Sequence, residues 1–85
     1  MTHRLLLVCY ADTFGYGWPH VDLFVHDAHG REVNWVHWAA PGNGPEAADR
    51  ATAAEEPSLT RAGEWERRVG PSGAVHWTAE AEWTG

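Results

Sequence analysis

The residues of this 85-residue chain with reactive or ligating side chains are six histidines, one cysteine and several closely spaced carboxylates. His20 and His26 fall on one face of an extended segment but lie roughly 20 Å apart at ~3.3 Å per residue, too far to share an ion. His26 and His29 converge across a turn, where Asp27 or Glu32 would give a third ligand of the type that suits zinc or copper. Turn histidines are more commonly solvated, so these two are the positions where a metal would be sought, while the expectation is no metal and no cofactor. Cys9 is the sole cysteine, which excludes an internal disulfide and CxxC chemistry. It sits in the most apolar stretch, where a thiol is inert packing. Glu64 with Glu66, and Glu80 with Glu82, alternate onto the polar faces of strands beside Arg68 and His76 and read as solvated surface. The chain contains no phosphate-binding loop, Ser-His-Asp order or dinucleotide fingerprint. The expectation is therefore a protein that is not an enzyme.

The aromatic residues point elsewhere. Residues 33–38 read VNWVHW, with two of the six tryptophans three positions apart. In a strand, positions three apart face opposite sides, so Trp35 and Trp38 cannot both belong to one core. Which is held out depends on the elements around them and on how those elements pair.

Residues 75–83 (VHWTAEAEW) alternate strictly, apolar at odd and polar at even positions, as in a strand with one buried face. Residues 63–69 precede it across Gly70-Pro71-Ser72-Gly73, a turn composition. A loop over 70–74 pairs Val69 with Val75, Arg67 with Trp77 and Trp65 with Ala79, placing the apolar members on one side and leaving Arg67 in reach of the Trp77 indole. On this reading Trp65, Trp77 and Trp83 are core. Residues 19–27 and 31–39 flank a second turn in which Gly30 suits the left-handed position of a three-residue hairpin loop. Continuing the pairing from Asp27 and Arg31 sets Val25 against Val33, Leu23 against Trp35 and Val21 against His37. Phe24, Val36, Trp38 and His20 then share the other face. A shifted register, with Asn34 toward the core and Trp35 outward beside Phe24, is the poorer alternative. Residues 5–10 are apolar on both faces, as in a strand with neighbours on each side. A further strand is sought at 58–61 or 14–18. Residues 41–61 shift to Ala, Glu, Gly and Pro; within them 46–56 form either a mobile loop or a short helix with Ala47, Ala48, Ala51 and Ala54 as its apolar stripe.

VDLFVHDAHGREV at 21–33 resembles the hairpin of bacterial immunoglobulin-like modules, and LTRAGEW at 59–65 resembles their approach to a late strand. That resemblance covers about a third of the chain and implies a binding or structural module. The expected fold class is all-β: a single domain over 1–85 forming a small antiparallel β-sandwich, immunoglobulin-like, or an open barrel of five to seven strands, with a long acidic loop or short helix around 45–56.

Twelve acidic against six basic residues give a net charge of −6, which opposes binding to nucleic acid or anionic membranes and favours a basic partner. The apolar run at 5–10 is shorter than a signal-peptide core, and the lone cysteine suits a reducing compartment, so a cytoplasmic location is expected. The mixed apolar patch admits three explanations: cover by residues 41–61, a protein interface with a partner or a second copy, or a sugar or other planar ligand stacked on Trp38, Trp18 and Tyr16. The expected function is a non-catalytic binding module, of inhibitor or immunity type, engaging protein through Trp38, Phe24, Val36, His20, Trp18 and Tyr16. The alternative is a sugar-binding or metal-binding domain using the hairpin histidines and exposed tryptophans.

Overall fold

A computed structural model describes residues 3–12 and 17–84. Six strands and one helix follow in chain order: β1 (Arg4–Tyr10), β2 (His20–His26), β3 (Glu32–Ala39), α1 (Pro45–Glu55), β4 (Leu59–Arg61), β5 (Glu66–Val69) and β6 (Val75–Trp83). All the strands join in one antiparallel sheet in the order β3-β2-β1-β6-β4, with β5 also paired to β6. The antiparallel all-β class, the strand number and the short helix agree with the sequence. The doubly apolar run at 5–10 is the central strand, flanked by β2 and β6.

One face of the sheet carries Leu5, Leu7 and Cys9 of β1, Val21 and Leu23 of β2, Trp38 of β3 and Ala81 of β6, packed against Ala48 and Ala51 of α1 and Leu59 of β4. Each buried Leu or Val there contributes about 1.5–3 kcal/mol of transfer free energy. The helix covers this face because its buried stripe is small: Ala47, Ala48, Ala51 and Thr52 let its backbone lie close to the strands, and the Thr52 hydroxyl donates to Ala48 O at 2.8 Å. Ala54, expected in the stripe, is exposed, and Thr52 takes its place. Within 41–61, a docked helix forms over Pro45–Glu55 and a short strand over Leu59–Arg61. Pro45 opens it behind Gly44, whose φ of 91° requires glycine.

The β5–β6 hairpin pairs Arg67 with Trp77 and Val69 with Val75, the register the alternation predicts. Its turn is closed by the Gly70 N–H on Ala74 O at 2.9 Å. Trp65 precedes β5 and packs against the core edge from outside the strand. Trp83, expected in the core, is 53% exposed, because β6 runs past the end of its pairing with β1 at Leu5–Ala81 and has only β4 beside it.

The main correction concerns the β2–β3 hairpin. Its turn forms as expected: Gly30 sits at φ 80°, the Asp27 N–H donates to Arg31 O at 2.9 Å, and Asp27 Oδ1 accepts from the N–H groups of His29 and Arg31. His26 faces Glu32, also as expected, but the next pair is Val25 with Asn34. Val33 is therefore an extra residue, a β-bulge, and every position after it changes face. Leu23 lies opposite Val36 and Val21 opposite Trp38, while Phe24 lies opposite Trp35. Trp38, expected to be held out for a partner, is 8% exposed and belongs to the core with α1 over it. Val36 shares its face and is not beside Phe24. Trp35, expected in the core, is 45% exposed on the other side.

Candidate functional site

The face opposite α1 presents, by alternation, Leu6, Val8 and Tyr10 of β1, His20, Asp22 and Phe24 of β2, Trp35 and His37 of β3, and His76 and Thr78 of β6. At its centre lies Asp22, a carboxylate only 5% exposed. Val8 and His37 lie directly opposite it on the two flanking strands. Its hydrogen bonds come from the next same-face residues along each of those strands, which are within diagonal reach. The Tyr10 hydroxyl donates to Asp22 Oδ2, and Trp35 Nε1–H donates to Asp22 Oδ1 at 3.1 Å. His20 Nε2 lies 3.4 Å from Oδ2, while His20 Nδ1 lies 3.4 Å from the Trp18 carbonyl. A carboxylate buried in this way is sustained by hydrogen-bond donors, and here three strands supply them.

Rings are built around this anchor. Tyr10 stacks on His20 at 4.9 Å between centroids, and Trp35 lies over His37 at 4.9 Å. Trp18 meets His20 edge-on at 5.9 Å and His37 at 6.2 Å, and His76 lies 6.4 Å from Tyr10. Trp18 is 42% exposed. The Tyr10 hydroxyl and the Trp35 indole N–H are thus held inward on Asp22, the His20 side chain is buried, and Trp18, Trp35 and His37 are exposed.

Two openings matter. Between Tyr10, His20 and Asp22 on one side and the β5–β6 turn on the other lies a cleft of about 750 Å³, which also reaches Asp12 and His76. The Ala11 N–H donates to Val75 O at 3.0 Å, joining the end of β1 to the start of β6. The second is the outer edge of β3. Among the described residues this eight-residue strand pairs with β2 alone, and seven of its residues are exposed, including Val33 at 52% and Val36.

No family model, curated protein or solved structure matches this chain.

Of the six partner-binding residues expected from the sequence, His20 and Phe24 share the open face and Trp18 joins it from the segment before β2. Trp38 and Val36 lie on the helix side, and Tyr16 falls outside the described residues. His26 and His29 are not drawn into a ligand set: Asp27 is occupied in capping its own turn, and among the described residues no group of three His, Cys, Asp or Glu is placed to hold a metal. Sequence reasoning missed Tyr10, Asp22 and His76, and assigned Trp35 to the wrong face. The available signal was Asp22 itself, a carboxylate between His20 and Phe24 in strand alternation, where an unsatisfied charge would be costly.

Outside this face, Asp49 of α1 forms a second anchor. It accepts from Arg61 Nε and Nη2 at 2.9 and 3.1 Å and from Trp65 Nε1 at 3.1 Å, with the guanidinium 5.6 Å from the Trp65 ring centre. Asp49 raises the Arg61 pKa by that hydrogen bonding. Arg61 over Trp65 is the cation–π contact seen among the described residues, in place of the Arg67–Trp77 contact expected from the register. Cys9 is buried, and removal from water, with the Asp49 charge adding to it, pushes its thiol up to about 12.

Proposed function

We propose that this chain is a non-catalytic binding module whose β3 edge and adjoining ring-bearing face engage a protein. The observation that carries this reading is the state of β3. An edge strand exposes a row of unpaired N–H and C=O groups, and proteins blunt such edges with Lys, Pro, inward charges or a β-bulge. β3 has neither Lys nor Pro, its bulge at Val33 is confined to the turn end, and the regularly paired run from Asn34 to Ala39 displays Trp35 and Val36 to solvent. The geometry suits addition of an extended segment, in which backbone hydrogen bonds supply affinity and alternate side chains supply selectivity. Trp35 is pre-oriented for this by its bond to Asp22, so little side-chain entropy is lost on contact.

A non-catalytic role is supported by the chemistry of the reactive groups. Cys9 stays a neutral thiol at physiological pH, and both nitrogens of His20 lie near fixed oxygens. The net charge of −6 favours a basic protein partner over nucleic acid or an anionic membrane and speeds association with it, as for an inhibitor or immunity-type protein. Among the described residues no helix is long and apolar enough to cross a membrane. A cytoplasmic setting is part of the proposal and rests on the single, buried cysteine.

Light scattering over a wide concentration range tests the self-paired form: a dimer is expected for the native chain and a monomer for Val36→Lys with its fold intact. A native chain that is monomeric throughout would assign the edge to a different protein. Equal dimerisation of native chain and variant would remove β3 from the interface.

A further inference from the structure

The two edges of the sheet are built differently. On the β5 side the strand reads Glu66-Arg67-Arg68-Val69, three charged residues of four, with Arg68 bound to Glu66 at 2.9 Å. Charges on an edge discourage an added strand. β3 carries a single formal charge, Glu32, next to the turn. Its protection takes another form.

In an antiparallel ladder, alternate residues turn both backbone groups to the same neighbour. The Ala40 N–H donates to Pro19 O at 3.0 Å, and the same register continues through Trp38 with Val21, Val36 with Leu23 and Asn34 with Val25. These residues therefore turn N–H and C=O toward β2, while Ala39, His37 and Trp35 turn theirs to the outer side. The outward N–H of Trp35 is already bound: it donates to the side-chain Oδ1 of the preceding Asn34 at 2.9 Å. The Trp35 indole N–H is bound as well, to Asp22. Trp35 thus meets a partner with its C=O and its half-exposed ring, but with neither N–H. The bulge at Val33 breaks the regular pairing one residue before Asn34, so bulge and side-chain bond fall at the same end of the strand.

We propose that Asn34 sets the limit of the β3 interface, and with it the register of the added strand, by holding the Trp35 N–H out of the new ladder. The proposal rests on the reading of β3 as the interacting edge. A local side-chain bond of this kind competes with a ladder bond for the same donor. A strand that advanced past Trp35 toward the turn would have to displace the carboxamide and then follow the bulge. One seated opposite residues 35–39, with the Trp35 C=O as its last acceptor, does neither. A slipped register is disfavoured by the same bond, at an edge whose exposed side chains alone would specify register weakly.

The test uses the full chain, whose own β3 serves as the added strand. At concentrations where every variant is monomeric, and after correction for intrinsic rates, the Trp35 amide should exchange with deuterium at least about fivefold more slowly in the native chain than in Asn34→Ala. Asn34→Asp, which keeps the acceptor, should exchange like the native chain. At higher concentration, sedimentation should show Asn34→Ala associating at least about fourfold more tightly than the native chain, because a twofold pair gains a Trp35 donor from each copy and each net hydrogen bond adds a factor of about two or more. Adding Val36→Lys to Asn34→Ala should abolish that gain. Equal Trp35 exchange in the native chain and Asn34→Ala, or unchanged association of Asn34→Ala, would overturn the role of Asn34 and leave the edge itself to the comparison of native chain and Val36→Lys. A gain that persists with Val36→Lys present would put the association elsewhere and overturn the edge reading together with this proposal.

Discussion

The bulge at Val33 can be tested through the two tryptophans it separates. Trp38 is buried under α1, and among the described residues its Nε1 is a buried side-chain nitrogen without a hydrogen-bond acceptor. Trp38→Ala should therefore cost about 3–5 kcal/mol, as for other large-to-small core substitutions. Total stability is on the order of 4–13 kcal/mol for a chain of this length, so the variant would be near its limit. Trp38→Phe keeps an aromatic ring in the core and loses no hydrogen bond, so its cost should stay under about 1.5 kcal/mol. Trp35→Phe reverses the logic. The Trp35 ring is half exposed, so little burial is lost, but Asp22 Oδ1 loses the indole donor, and a buried carboxylate left short of a donor costs about 1–3 kcal/mol. Urea unfolding of the four variants Trp38→Ala, Trp38→Phe, Trp35→Ala and Trp35→Phe, followed by far-UV circular dichroism with a common m-value, measures all of these. The reasoning fails if Trp38→Ala costs less than about 1 kcal/mol while Trp35→Ala costs 3 or more, since that ordering belongs to the unbulged register.

Three further outcomes follow from particular contacts. Deleting Val33 should leave the β2–β3 register of Trp38 and Val21 intact, because it removes the unpaired residue, and thermal unfolding should show a loss under about 2 kcal/mol; a molten or aggregated product would contradict this. Cys9, held up to about 12 from 9.0, should resist iodoacetamide at pH 8 until the chain is unfolded. Between about pH 9 and 12 the unfolded thiol is ionised and the folded one is not, so stability should fall by about 1.4 kcal/mol per pH unit from this group, a slope that Cys9→Ala should lack. Asp49→Asn should cost about 1 kcal/mol by weakening its paired contact with Arg61, a modest value because both side chains are partly exposed; chemical denaturation with and without added salt checks it.

Much of the fold was legible because alternation and turn chemistry agree locally. Val75 to Trp83 alternates without a break, and only one register across Gly70–Ala74 keeps its apolar members together, so β5 and β6 paired as expected. Gly30 marked its turn in the same way. The β3 register was not legible, because it was chosen by keeping Asn34 off the core face. That criterion assumes that the whole face is covered. In the structure α1 reaches only the Ala39 end of β3, burying Trp38 and leaving Val36 and Asn34 exposed, so Asn34 can lie on that side without penalty. A bulge leaves no mark in the hydrophobic pattern when both registers are tolerable. The Asp22 cluster was hidden for a related reason: its donors come from diagonal positions on two other strands, and only the completed sheet brings Tyr10 and Trp35 to one carboxylate.

The claim that β3 is the interacting edge is tested most directly by site-specific photo-crosslinking in the native host, with the crosslinker placed in turn at Val36 and, as a control, at Arg50 on α1. Discrete protein adducts from Val36, either a second copy or one other protein, with none from Arg50, are the predicted result. Adducts of equal yield from both positions, or from Arg50 alone, would contradict it.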